Sequence, residues 1–165
     1  MKRRSFIKQI VSVSATAITV PSMVLANEEA NITKEPKKEV LKGPNDLPFE
    51  EALKAIVGDK EVKDSDKVKL RVPEIAENGA VVPVKVSVDY PMDENNYVKS
   101  IHILNTKNAN ARCVDVMLTP KNAEAKFASR VKLSESQEVV AVVGLSDGTF
   151  MKAGKSVKVT IGGCG

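Results

Sequence analysis

The chain has 165 residues, with 25 Lys and Arg against 21 Asp and Glu, no Trp, two Tyr and four Phe, so its core must be built from Val, Ile, Leu and Ala. Four of the basic residues and no acidic ones fall in residues 1–26, which leaves 21 of each sign in the remainder. The formal charge of +4 therefore gives no ground for nucleic-acid binding or membrane-surface binding by residues 27–165.

Residues 1–26 read as an export signal. Lys2, Arg3, Arg4 and Lys8 precede a mildly apolar 10–20 stretch, and Val24-Leu25-Ala26 supplies small residues for cleavage after Ala26. The pair Arg3-Arg4, followed by Ser5, Phe6, Ile7 and Lys8, has the twin-arginine form. This predicts a periplasmic protein with no membrane attachment once the signal is removed. Residues 27–45 are rich in Glu, Lys, Asn and Pro, too polar to bury a core, and are expected to form a flexible leader. The rest is the size of one domain.

Residues 46–59, DLPFEEALKAIVGD, place Phe49, Leu53 and Ile56 at helical spacing, with Asp46 as the expected cap and Gly58 as the stop. This short amphipathic helix is expected to cover one end of a core. The period then changes to two. Val82, Val84, Val86, Val88 and Tyr90 alternate with Pro83, Lys85, Ser87 and Asp89. Comparable runs at 67–72, 98–104, 112–118, 125–133, 138–145 and 156–161 are separated by ENGA, YPMDENN, NTKNAN, TPKN, LSES and SDGT. Seven short strands of this kind predict an all-β, immunoglobulin-like antiparallel sandwich over residues 46–161, with residues 162–165 as an arm beyond it.

The 138–145 run, EVVAVVGL, is apolar on both faces. Either it is a central strand or one face meets a second protein. Because a strand of a two-layer sandwich normally turns one face to water, the second reading is favoured.

Candidate chemistry is sparse. His102 is the only histidine, and it alternates with Ile101 and Ile103, so it is expected at a surface or rim. No HExxH or clustered Cys and His supports a metal site, no GxSxG accompanies the histidine, and no phosphate-binding glycine loop is present. Neither catalysis, a metal nor a cofactor is predicted. Cys113 reads as a small apolar residue of a sheet. Cys164 stands between Gly162-Gly163 and Gly165, where no side chain would collide with a narrow cleft. Four residues beyond Ile161 reach at most about 14 Å. The tail thus reads as a mobile arm packed against nothing and bearing a covalent attachment point. The alternative is a disulfide between Cys113 and Cys164, stapling a secreted structural module. The glycines favour the arm, since a staple has no need of them.

The segments PEIAENGAVVPVKVSVD, YVKSIHIL, MLTP, VVAVVGLSDGTF and the terminal VKVTIGGCG resemble the SoxY family of sulfur carriers from the bacterial thiosulfate-oxidising system. The resemblance extends from about Asn45 to Gly165, although one glycine follows the cysteine where family tails often carry two. It implies an immunoglobulin-like sandwich paired with a second subunit, SoxZ; a twin-arginine signal on a chain with no cofactor motif is explained by export of that heterodimer already assembled. The resemblance also implies Cys164 as the covalent carrier, visited by the haem-containing SoxXA, the dimanganese hydrolase SoxB and, where present, SoxCD, with the carrier itself catalysing nothing.

Overall fold

The computed structural model describes residues 46–163. The expected signal with Arg3 and Arg4, the leader 27–45, and Cys164 and Gly165 lie outside the described residues. One helix, α1 (Phe49–Val57), is followed by nine strands: β1 (Val62–Asp64), β2 (Val68–Arg71), β3 (Ile75–Asn78), β4 (Val82–Val88), β5 (Val98–Asn105), β6 (Arg112–Met117), β7 (Ala125–Val131), β8 (Gln137–Leu145) and β9 (Phe150–Ile161).

The strands form two sheets. The smaller has the order β2-β4-β7; the larger runs β1-β9-β8-β5-β6, with β3 also paired to β9. The alternation in the sequence explains the smaller sheet directly. Val82, Val84, Val86 and Val88 turn inward and are buried, while Pro83 and Lys85 are exposed. Facing them across the sandwich are Ile101, Ile103, Val139, Ala141, Val143 and Val157, each at most 1% exposed. Full burial of a Val or Ile side chain contributes about 1.5–3 kcal/mol, so this interior dominates the stability of the domain.

Three expectations are corrected in detail. Among the described residues nine strands form rather than seven. The expected last strand starts six residues earlier, at Phe150, and the two added strands, β1 and β3, both pair with β9 in parallel, so the sandwich is not purely antiparallel. At the helix start the cap position is Pro48, not Asp46. Proline suits that position because its ring fixes φ near the helical value and it brings no amide proton that needs a partner. Gly58 does end the helix, at φ +65, with its N–H donating to the Lys54 carbonyl at 2.8 Å.

The third correction concerns the strand with two apolar faces. Both faces of β8 are covered within the chain. Val139, Ala141 and Val143 point into the sandwich, whereas Val140 and Val142 point outward beneath α1. There they join Ala52, Val57, Leu104 and Ala111, bordered by Leu47, Phe49, Leu53, Ile56, Val62 and Phe150. The helix is therefore a third layer over the larger sheet, not an end cover. It supplies the apolar partner that the sequence reading assigned to a second protein.

Candidate functional site

The only histidine is not at a rim. His102 is 4% exposed, because β5 is flanked by β8 on one side and β6 on the other. It stands opposite Asp115 of β6 and Val142 of β8. A buried imidazole needs a polar partner, and here Nδ1 donates to Asp115 Oδ1 at 2.6 Å, while Arg112 Nε donates to Asp115 Oδ2 at 2.7 Å. Partial burial works to raise the Asp115 pKa, but the hydrogen bonds from His102 and Arg112 outweigh it and hold the carboxyl below the usual carboxylate range. Among the described residues no serine or cysteine is hydrogen-bonded to this imidazole, and the arrangement ties β5 to β6.

Cys113 is the extra residue of the β-bulge in β6, lying between Val114, opposite Ile103, and Arg112, opposite Leu104. It is half-buried against the sandwich interior, as expected of a small apolar residue, and its thiol is free. Asn105 Nδ2 donates to its Sγ at 3.0 Å. Burial pushes the thiol pKa up to about 11, with the Asn105 contact acting in the opposite direction, so the group stays protonated and inert at neutral pH. Among the described residues no three His, Cys, Asp or Glu side chains gather in a metal-binding group.

The segment leading to Cys164 differs from its sequence reading. Gly162-Gly163 was expected to be a free hinge, yet Gly163 is buried. Gly79 N–H donates to the Ile161 carbonyl at 2.7 Å, Leu133 N–H donates to the Gly79 carbonyl at 2.7 Å, and Gly163 N–H donates to the Leu133 carbonyl at 3.0 Å. Three backbone segments meet without side chains between them. A Cβ on Gly163 would lie 2.7 Å from Ala80 N and 2.8 Å from Gly79 C; one on Gly79 would lie 2.8 Å from Gly163 N and would collide with the Leu133 carbonyl. The glycines are there for close approach as much as for thinness.

The loop that receives Gly163 is bonded to β9 through Ser136, whose Oγ accepts from Val159 N–H at 2.9 Å, and is shaped most extensively by the side chain of Asn108. Asn108 Oδ1 accepts from Ser134 N at 3.0 Å, Ser134 Oγ at 2.9 Å and Gln137 Nε2 at 2.8 Å, and Asn108 Nδ2 donates to the Lys132 carbonyl at 2.9 Å. Asn108 N–H in turn donates to Asn105 Oδ1 at 3.2 Å. Neither Asn108, one of several Asn residues in a turn, nor Gly79, which reads as a turn glycine, was visible as a site residue from the sequence.

A family model described as "Sulfur oxidation protein SoxY" matches residues 53–164. No curated protein matches the chain. Among solved structures, the sulfur carrier protein SoxY from Chlorobium limicola f thiosulfatophilum is 28% identical, with a TM-score of 0.58, over 68% of this chain and 96% of that one. A superoxide reductase (neelaredoxin) from Ignicoccus hospitalis is 21% identical, with a TM-score of 0.52, over 56% of this chain and 80% of that one. The superoxide reductase from Nanoarchaeum equitans is 10% identical, with a TM-score of 0.50, over 58% and 99%. The likeness to the reductases is one of fold alone.

Proposed function

The chain belongs to the SoxY family of sulfur oxidation proteins, and on that premise we propose that it carries thiosulfate-derived sulfur covalently on the thiol of Cys164. The observation that carries this reading is the extent of the family match, which runs through residue 164 and so includes the terminal cysteine. Loading joins the Cys164 thiol to the outer sulfur of thiosulfate. A disulfide-type S–S bond forms, the thiol proton is released, and two electrons pass one at a time through the haem of a SoxXA-type enzyme to its electron acceptor. Hydrolysis by a SoxB-type enzyme then cleaves the sulfonate as sulfate and leaves a persulfide on Cys164, the substrate for a SoxCD-type enzyme where one is present. The carrier supplies attachment and presentation, and its partners supply the chemistry.

The location follows the same reading: export through the twin-arginine signal around Arg3 and Arg4, assembled with a SoxZ subunit, and work in the periplasm. Gly162, Gly163 and Gly165 keep bulk away from the thiol. The test is Cys164→Ser in a system reconstituted with partner enzymes. Thiosulfate-dependent turnover should vanish while the fold persists, since the change exchanges one sulfur atom for an oxygen. Mass spectrometry of wild-type protein prepared without reductant should show thiosulfonate or persulfide adducts confined to Cys164. Undiminished turnover by the serine variant would refute the reading.

A further inference from the structure

We propose that Gly79 and Asn108 are positioning residues for the thiol-bearing segment, which the fold holds in a backbone cradle as far as Gly163. The proposal rests on Cys164 being the carrier, but its evidence is geometric and its test is separate. The cradle has a floor, the turn 78–81, and a wall, the loop 132–137. The floor is set by Asn78, whose side chain accepts the Ala80 N–H at 2.8 Å, and by Gly79, which bonds Ile161 on one side and Leu133 on the other. The wall is shaped by Asn108, whose carboxamide oxygen gathers three donors from Ser134 and Gln137 and whose amide reaches the Lys132 carbonyl. The Leu133 carbonyl accepts Gly163 N–H at 3.0 Å because the wall presents it there.

Position follows from covalent geometry. Consecutive Cα atoms are about 3.8 Å apart, so the Cys164 backbone is one such step from a buried, hydrogen-bonded residue. A hinge at Gly162-Gly163 would give the thiol a sweep of many ångströms. With Gly163 docked, the joints that remain are those of Cys164 itself. A partner's active site must then reach the surface beside the turn 78–81 and the loop 132–137. Either Gly79→Ala, through the collision of its Cβ with the Leu133 carbonyl and Gly163 N, or Asn108→Ala, through loss of the wall, should undock the segment.

The experiment reads motion rather than turnover. In the wild-type full chain, amide exchange at Gly163 should be slowed by about 100-fold or more relative to an unstructured peptide, and each variant should lose at least about 10-fold of that protection. A nitroxide on Cys164, in a Cys113→Ala background, should give a broadened spectrum that narrows in both variants. Asn108→Ala keeps the test informative if Gly79→Ala does not fold, and the wild-type exchange measurement needs neither. Gly163 exchanging at the unstructured rate in wild-type protein would overturn the cradle. So would an unchanged nitroxide spectrum in a folded Gly79→Ala or Asn108→Ala protein. If Cys164→Ser kept full turnover while Gly163 remained protected, the carrier reading would fall and the cradle would stand.

Discussion

Val142→Ala decides whether the outer face of β8 is core or interface. Val142 is fully buried on the side of the sheet beneath α1, and its neighbour Val143 is fully buried on the opposite, sandwich side. Truncating valine to alanine removes two carbon groups at about 0.8 kcal/mol each, about 1.6 kcal/mol of transfer free energy. The cavity left behind adds to this, because the helix and sheet close only partly around it, and brings the cost to about 2–3 kcal/mol. In a domain of this size that corresponds to a loss of roughly 10 °C in Tm. Urea unfolding at protein concentrations too low for association should therefore show Val142→Ala and Val143→Ala displaced by similar amounts, with unchanged slopes. A surface valine waiting for a partner would behave differently. Its truncation would leave the isolated chain within about 0.5 kcal/mol of wild type. If Val143→Ala costs about 2 kcal/mol and Val142→Ala costs nothing, α1 does not cover that face and the three-layer description is wrong.

Two further outcomes are expected. Asp115 has its carboxyl held below the usual range by His102 and Arg112, so its stabilising contribution is fully present above the unfolded carboxylate pKa of about 3.9 and is lost as pH falls through the lower folded value. Acid titration of stability should therefore be shallower below about pH 4 in Asp115→Asn than in wild type, and identical slopes would show that the His102 pairing is not made. With its thiol pKa near 11, Cys113 should react with an alkylating reagent at neutral pH at least about 100-fold more slowly than a free cysteine. Peptide mapping after brief treatment should find Cys164 modified and Cys113 intact, whereas finding neither thiol free, with the two cysteines bridged, would establish the staple.

Much of the fold was legible because its strongest signals are periodic. Val82, Val84, Val86 and Val88 announce a strand with one wet face, and Phe49, Leu53 and Ile56 announce a helix with one dry side. The failures share a physical cause, since they concern what an element meets rather than what it is. The two apolar faces of β8 were visible, but whether the second faced a partner or α1 depended on where the helix packs. That helix needed a hydrophobic surface to lie on, and the spare face of β8 was the available one. β1 and β3 are three and four residues long, too short to show a period, and exist because β9 offers them an edge. The early part of β9 was concealed by Lys152, Gly154 and Lys155, with the flexible Glu138 side chain lying over Gly154. At the candidate site the Gly-flanked Cys164 stood out in the sequence, and it lies outside the described residues. The docking of Gly163 did not stand out, because it is made by backbone groups distant in sequence.

The connectivity of β9 also has a mechanical consequence. This 12-residue strand continues directly into the thiol-bearing segment and is bonded to β8 over Phe150–Val157, to β1 near its start and to β3 near its end. A partner that draws the thiol into its own cleft pulls along the axis of this strand. Its ladder hydrogen bonds lie across that axis, so the load is shared by many of them at once in shear, and they cannot be unzipped one at a time from the end. The few bonds at Gly79 and Leu133 are the first to give. Force applied to the cargo would therefore release the last residues of the chain before it disturbed the sandwich, so a tug from a partner could lengthen the tether and leave the rest of the molecule intact.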